Sequence, residues 1–162
     1  MTVPRDNDIL LQKGKTYCFR LLRIRQRSQA EIAQRLKQKR YPSKIINKLV
    51  QYLKTLELIN DQQFARDWIK MRLFKGLGRH RIRCELRQKG ISDTIIVKTL
   101  SECLKSVDEA GVVEQIANKR LARYKNLEPS VLKRRLYGYL MRRGFEESLV
   151  LQSIQVIDHD HD

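Results

Sequence analysis

Arg79, Arg83 and Arg87 are spaced four apart, with Arg81 between them, and Ile82 and Leu86 share that spacing in the same segment. On a helix this pattern draws the arginines into one row beside an apolar seam. A planar guanidinium donates in a fork that matches phosphate or carboxylate oxygens, so the row suits an extended anion. A denser set stands upstream: Arg23, Arg25 and Arg27, then Arg35, Lys37, Lys39 and Arg40, then Lys44 with Lys48 beyond it. Contacts of this kind to a phosphate backbone are independent of base sequence and weaken with salt. The candidate binding residues are therefore Arg23, Arg25, Arg27, Arg35, Lys37, Lys39, Arg40, Lys44, Arg79, Arg81, Arg83 and Arg87. Aromatics are few, and Tyr17, Tyr41, Tyr52, Trp68, Tyr124 and Tyr139 fall mostly at core spacing, so no dedicated single-strand groove is expected.

Other chemistries find little support. Gly76-Leu77-Gly78-Arg79 is too short for a phosphate loop and follows a helical pattern instead of a strand, so it reads as a hinge between helices. His80 lies among arginines and reads as a solvent-facing contact residue. Asp158-His159-Asp160-His161-Asp162 has the side chains of a divalent-metal chelator, but a frayed acidic terminus explains the tail more simply. Cys18, Cys84 and Cys103 are isolated, with no CxxC pair, and read as small packing residues. No catalytic residue, metal or cofactor is expected.

Thirty-four Lys and Arg against eighteen Asp and Glu give the 162 residues a net charge of +16. Excess of this size concerns partners and leaves the fold undecided. It is graded along the chain. From Gln12 to Leu56 thirteen bases face the single acid Glu31; from Glu57 to Ser106 eleven bases face six acids; from Val107 onward nine face nine. No stretch approaches the ~20 apolar residues of a membrane span, and Met1 to Lys15 lacks the apolar core of a signal peptide. The unpaired cysteines fit a reducing, cytoplasmic setting.

The elements that would carry these cations are helices. Gly and Pro are scarce, Lys, Arg, Gln, Leu and Ile abundant, and Phe64, Trp68 and Met71 recur at helical spacing. Ser28 with Glu31 forms a capping-box signature. Ser43, Asp61, Ser92 and Asp108 stand as N-caps, while Gly90 and Gly144 stand just past helix ends.

A threefold repeat organises the chain. Leu36-Lys37-Gln38-Lys39-Arg40-Tyr41 aligns with Leu86-Arg87-Gln88-Lys89-Gly90-Ile91 and with Leu140-Met141-Arg142-Arg143-Gly144-Phe145. Ile32, Ile82 and Leu136 precede these by one turn; Ile45-Ile46, Ile95-Ile96 and Leu149-Val150 follow. Each repeat predicts three helices. The first helices are Thr16–Arg27, Asp61–Lys75 and Asp108–Tyr124; the second Ser28–Lys39, Arg79–Lys89 and Ser130–Arg143; the third Ser43–Leu56, Ser92–Leu104 and Glu146–Ile157. Tyr41, Ile91 and Phe145 should plug the seam after each second helix. The expected fold is all-α, three tandem three-helix repeats in an elongated or crescent-like array, since units of this size bury too little surface alone. The expected divisions are a flexible arm 1–15, repeats over 16–57, 58–106 and 107–157, and an acidic His/Asp tail 158–162.

The segment Leu58-Ile59-Asn60-Asp61-Gln62-Gln63-Phe64-Ala65-Arg66-Asp67-Trp68, then Arg72, then Gly78 to Ile91, resembles the central signature of the RecX family. Arg25, Ser28 and Glu31 resemble that family's first-repeat signature, and Arg142-Arg143-Gly144-Phe145 its third. The resemblance covers roughly Tyr17 to Ile157. It departs from the family pattern at Asn60, at Arg40 where a Gly is usual, and around Val112 to Tyr124. The resemblance implies a non-enzymatic regulator that binds the RecA recombinase and its filaments on DNA. Such a regulator depresses recombinase, ATPase and coprotease activity. Its implied partners are RecA and single- or double-stranded DNA without sequence preference; the lack of an apolar span argues against a membrane partner, and, with nothing pointing to an obligate dimer, a monomer is expected. The alternative is a general basic DNA-binding or architectural protein lacking a specific protein partner.

Overall fold

In the computed structural model, which describes residues 6–123 and 127–159, every regular element is an α-helix. In chain order these are α1 (Asp6–Ile24), α2 (Gln29–Gln38), α3 (Ser43–Thr55), α4 (Asp61–Phe74), α5 (Arg79–Gln88), α6 (Asp93–Leu104), α7 (Glu109–Leu121), α8 (Pro129–Arg143) and α9 (Glu147–His159). The chain divides into two compact units. One comprises Met1–Ala65 with Arg87–Ile95, the other Arg66–Leu86 with Ile96–Asp162. The division runs through the central repeat.

The repeat register is the register of burial. Ile32, Ile82 and Leu136 are fully buried, and so are Leu36, Leu86 and Leu140 one turn later. The residue four places on takes the left-handed conformation in all three turns, with φ of 62° at Arg40, 74° at Gly90 and 84° at Gly144. Arg40 therefore adopts the glycine conformation despite its Cβ, at a cost of roughly 1–2 kcal/mol. Ile91 and Phe145 are buried as expected of seam plugs, whereas Tyr41 is only half-buried.

Within the first unit, α1 and α2 each pack on α3, around Cys18, Leu21, Ile32, Leu36, Leu49 and Leu53. Burial pushes the Cys18 thiol up to about 11, so it stays protonated and inert at neutral pH. Within the second, α7, α8 and α9 pack pairwise around Val113, Ala117, Leu136, Leu140, Phe145 and Val150.

Helix boundaries correct the sequence reading in three places. Helix α1 begins at Asp6, so ten residues of the expected flexible arm are helical; Asp6 and Asp8 in the first turn favour that start electrostatically. Ser43 is the first helical residue and Pro42 the cap, without a side-chain hydrogen bond. Asn60, not Asp61, caps α4, its Oδ1 accepting from the amides of Gln62 and Gln63, both at 3.0 Å. Asp61 instead accepts from the Gln29 amide at 2.9 Å, at the start of α2. The Ser28 capping box and the Asp108 cap form as expected. Helix α9 continues to His159; Tyr124 and the remainder of the His/Asp tail lie outside the described residues.

Candidate nucleic-acid interface

The first unit holds a groove of about 630 Å³ between α1 and the turn joining α2 to α3. Lys13 and Arg20 on α1, and Lys39 and Arg40 on the turn, supply four cations to its walls, with Tyr17 and Tyr41 beside them and no carboxylate. The Arg20 guanidinium lies over the Tyr17 ring, 5.5 Å from its centroid, which holds the arginine at the wall. Lys39 and Arg40 are there because α2 ends at Gln38 and the chain reverses through Arg40's left-handed backbone. None of these four cations pairs with a carboxylate among the described residues. Such a surface attracts a polyanion and has no negative group to repel it.

The other predicted residues of this unit fall into two groups. Arg23, Arg35, Lys37 and Lys44 are exposed and unpaired among the described residues. Arg25 and Arg27 are not comparably available. Arg25 donates twice to Glu31, at 2.9 and 3.1 Å. Arg27 is buried, its Nε donating to the Leu21 carbonyl at 3.4 Å. Burial lowers the Arg27 pKa, with the charges of Arg25 and Arg35 adding to the effect. Arg27 thus serves the junction of α1 and α2 and offers little of its surface to a ligand, which departs from the expectation for that residue.

The arginine row on α5 is also committed to carboxylates. Arg79 donates to Glu109 and lies 3.5 Å from Glu146. Its pKa is raised chiefly by the hydrogen bond to Glu109. Arg81 pairs with Glu85 at 3.2 Å, and Arg87 with Asp93 at 2.7 Å. Arg83 is half-buried. The spacing of the row is as expected, but Arg79, Arg81 and Arg87 each pair with a nearby carboxylate, so the row is not an acid-free phosphate stripe. His80 likewise faces an acid, Glu146, at 4.0 Å. Trp68 is half-buried, its Nε1 donating to Glu85 at 3.0 Å while the Arg72 guanidinium stacks 4.4 Å from its ring centroid.

Sequence reading missed Lys13 and Arg20. Their signal is the i, i+4, i+7 spacing of Lys13, Tyr17 and Arg20, which places all three on one face once α1 extends back to Asp6. Among the described residues no group of three or more His, Cys, Asp or Glu is placed to hold a metal ion, and no helix is long and apolar enough to cross a membrane.

Three family models match in order: RecX, first three-helix domain, over residues 15–53; the second over 60–100; the third over 108–154. Curated relatives carry the description regulatory protein RecX. That of Mycobacterium sp. (strain KMS) is 34% identical over 150 residues, covering 90% of this chain and 81% of its own. That of Amycolatopsis mediterranei (strain U-32) is 32% identical over 145 residues, covering 89% and 82%. That of Pelodictyon phaeoclathratiforme is 31% identical over 143 residues, covering 88% and 87%. Among solved structures, RecX from Lactobacillus salivarius superposes with a TM-score of 0.80 at 23% identity, covering 91% of this chain and 96% of that one. A second crystal structure of a regulatory protein RecX gives a TM-score of 0.80 at 22% identity, covering 93% and 79%. At these identities the structures establish the fold.

Proposed function

Because the chain belongs to the RecX family of regulatory proteins, we propose that it acts on the RecA recombinase, binding RecA and RecA–DNA filaments and lowering their recombinase, ATPase and coprotease activities. The observation that carries the DNA arm of this reading is the acid-free groove with Lys13, Arg20, Lys39 and Arg40 on its walls. Arg23, Arg35, Lys37 and Lys44 extend the positive field around it. A polyphosphate strand is the natural occupant of such a surface, and contact by Lys and Arg heads makes the binding independent of base sequence. The chain acts as a monomeric binding protein in the cytoplasm, where RecA works, without catalysis of its own.

The test is RecA ATP hydrolysis on single-stranded DNA with substoichiometric protein, wild type against the double variant Lys39→Glu and Arg40→Glu. Slowed hydrolysis by wild type and loss of the effect in the variant are expected. Equal affinity for naked DNA and for RecA-coated DNA, with no effect on hydrolysis, would replace this reading by that of a general DNA-binding protein.

A further inference from the structure

A second positively lined pocket lies wholly within the second unit, where the C-terminal end of α4 meets α7 and α8. It has a volume of about 420 Å³, and its walls carry Lys75, Lys119, Arg120, Arg123 and Arg143 without a single carboxylate. This contrasts with the third repeat as a whole, whose charges balance. A helix C-terminus normally presents partially negative carbonyls that repel anions. Here Arg143 cancels that field, its Nη1 donating to the carbonyls of Lys75 at 3.0 Å and Gly76 at 2.8 Å. Tyr139 forms a rigid wall, with the guanidinium carbons of Arg120 and Arg143 at 4.5 and 5.1 Å from its ring centroid. On the rim stands Phe74, 93% exposed, the most exposed large apolar side chain among the described residues.

We propose that this pocket is a subsite for single-stranded nucleic acid, in which Phe74 stacks a base and Lys119 and Arg123 take the adjoining phosphates. The size of the pocket falls in the range of small-ligand sites and accommodates one nucleotide. An aromatic face beside cations is what an unpaired nucleotide needs, because it presents a π-surface and a phosphate together. Duplex DNA hides its π-surfaces in the stack, so Phe74 confers a preference for single strands. An acidic peptide would satisfy the cations but has no regular flat group to cover the exposed ring. Lys119 and Arg123 are exposed and form no ion pair among the described residues, so they are available for phosphate.

This inference rests on the reading of the chain as a DNA-associated regulator, and the experiment separates the two. Fluorescence anisotropy of a short labelled oligothymidylate, and of a duplex of equal length, is measured for wild type, Phe74→Ala, Lys119→Glu with Arg123→Glu, and Lys39→Glu with Arg40→Glu. Phe74→Ala should weaken oligothymidylate binding about tenfold, within the range expected for losing one stacked base, and leave duplex binding unchanged. The Lys119/Arg123 variant should flatten the salt dependence on oligothymidylate by roughly 1.4 in log–log slope. The Lys39/Arg40 variant should weaken both ligands. If Phe74→Ala binds oligothymidylate like wild type while Lys39/Arg40 does not, the subsite is refuted and the first-unit interface stands. Equal losses on both DNAs refute the single-strand preference. If wild type binds neither DNA but binds an acidic peptide in a Phe74-dependent way, the pocket is a protein-docking site and both DNA readings fall.

Discussion

Replacing Glu31 by Gln tests the charge that knits the first unit together. Glu31 accepts from Arg25 at 2.9 and 3.1 Å, from Lys89 at 3.1 Å and from the Ser28 amide at 3.3 Å. Burial would raise the Glu31 carboxyl; the hydrogen bonds from Arg25 and Lys89 outweigh it and hold the group at about 2, against 4.5 when unconstrained. That difference of roughly 2.5 pH units corresponds to about 3 kcal/mol of stabilisation at neutral pH. The folded-state value is depressed, so the contribution is complete above the unfolded value and is lost as pH falls through the folded one. At pH 3 about 1.4 kcal/mol should remain, and at pH 2 less than about 0.5 kcal/mol. Glu31→Gln resembles the protonated acid, so urea titrations followed by circular dichroism should show the variant less stable by about 3 kcal/mol at pH 7, converging on wild type by pH 2. A gap below ~1 kcal/mol at pH 7, or one that persists unchanged at pH 2, would refute the charge-clamp account.

Arg40→Gly should stabilise the chain by about 1 kcal/mol in the same titration, because it removes the Cβ from a left-handed turn whose two equivalents are glycines; destabilisation would mean that the Arg40 side chain anchors the turn. Leu86→Ala should cost about 2–5 kcal/mol, since the side chain is fully buried, and a loss below ~1 kcal/mol would contradict the register. Arg79→Glu should lower stability by roughly 1–3 kcal/mol by setting a third carboxylate against Glu109 and Glu146; an unchanged midpoint would show those pairs to be idle. By contrast, the triple variant Arg35→Glu, Lys37→Glu and Lys44→Glu should keep its stability within ~0.5 kcal/mol. Its duplex binding should lose up to about 2.7 from its salt slope, and an undiminished slope would place the phosphate contacts elsewhere.

The apolar register was legible because it repeats three times: Ile32, Ile82 and Leu136 could be aligned from spacing alone, and all three are fully buried. The caps at Ser28 and Asp108 were legible because their side chains act locally. Asp61 was misread because its carboxylate bonds an amide 32 residues away in sequence, a partner that no local pattern announces. The start of α1 was missed because its first apolar residues, Ile9, Leu10 and Leu11, form one short run instead of a helical period, and Gly14 interrupts the segment that follows. Charge was legible as a quantity but not as an assignment. The row Arg79–Arg83–Arg87 has the spacing of a phosphate track, yet which arginines meet Glu109, Glu85 or Asp93 depends on tertiary packing. The pocket beside Phe74 was invisible for the same reason, since its cations come from α7, α8 and the segments just past the ends of α4 and α7.

The start of α5 has a consequence for the order in which the protein is made. The Gly78 amide donates to the Arg143 carbonyl and the His80 amide to the Gly144 carbonyl, both at 2.9 Å. Amides at a helix start lack partners within their own helix, and these two find theirs more than sixty residues downstream. On a ribosome emitting roughly 5–20 residues per second, the first unit has all its segments once Ile95 has emerged. The start of α5 must then wait about 2–10 s for the turn after α8 to appear. During that interval the first unit can be complete while α4 and α5 remain half-built, so the second half of the nascent chain is the half that depends on protection during synthesis.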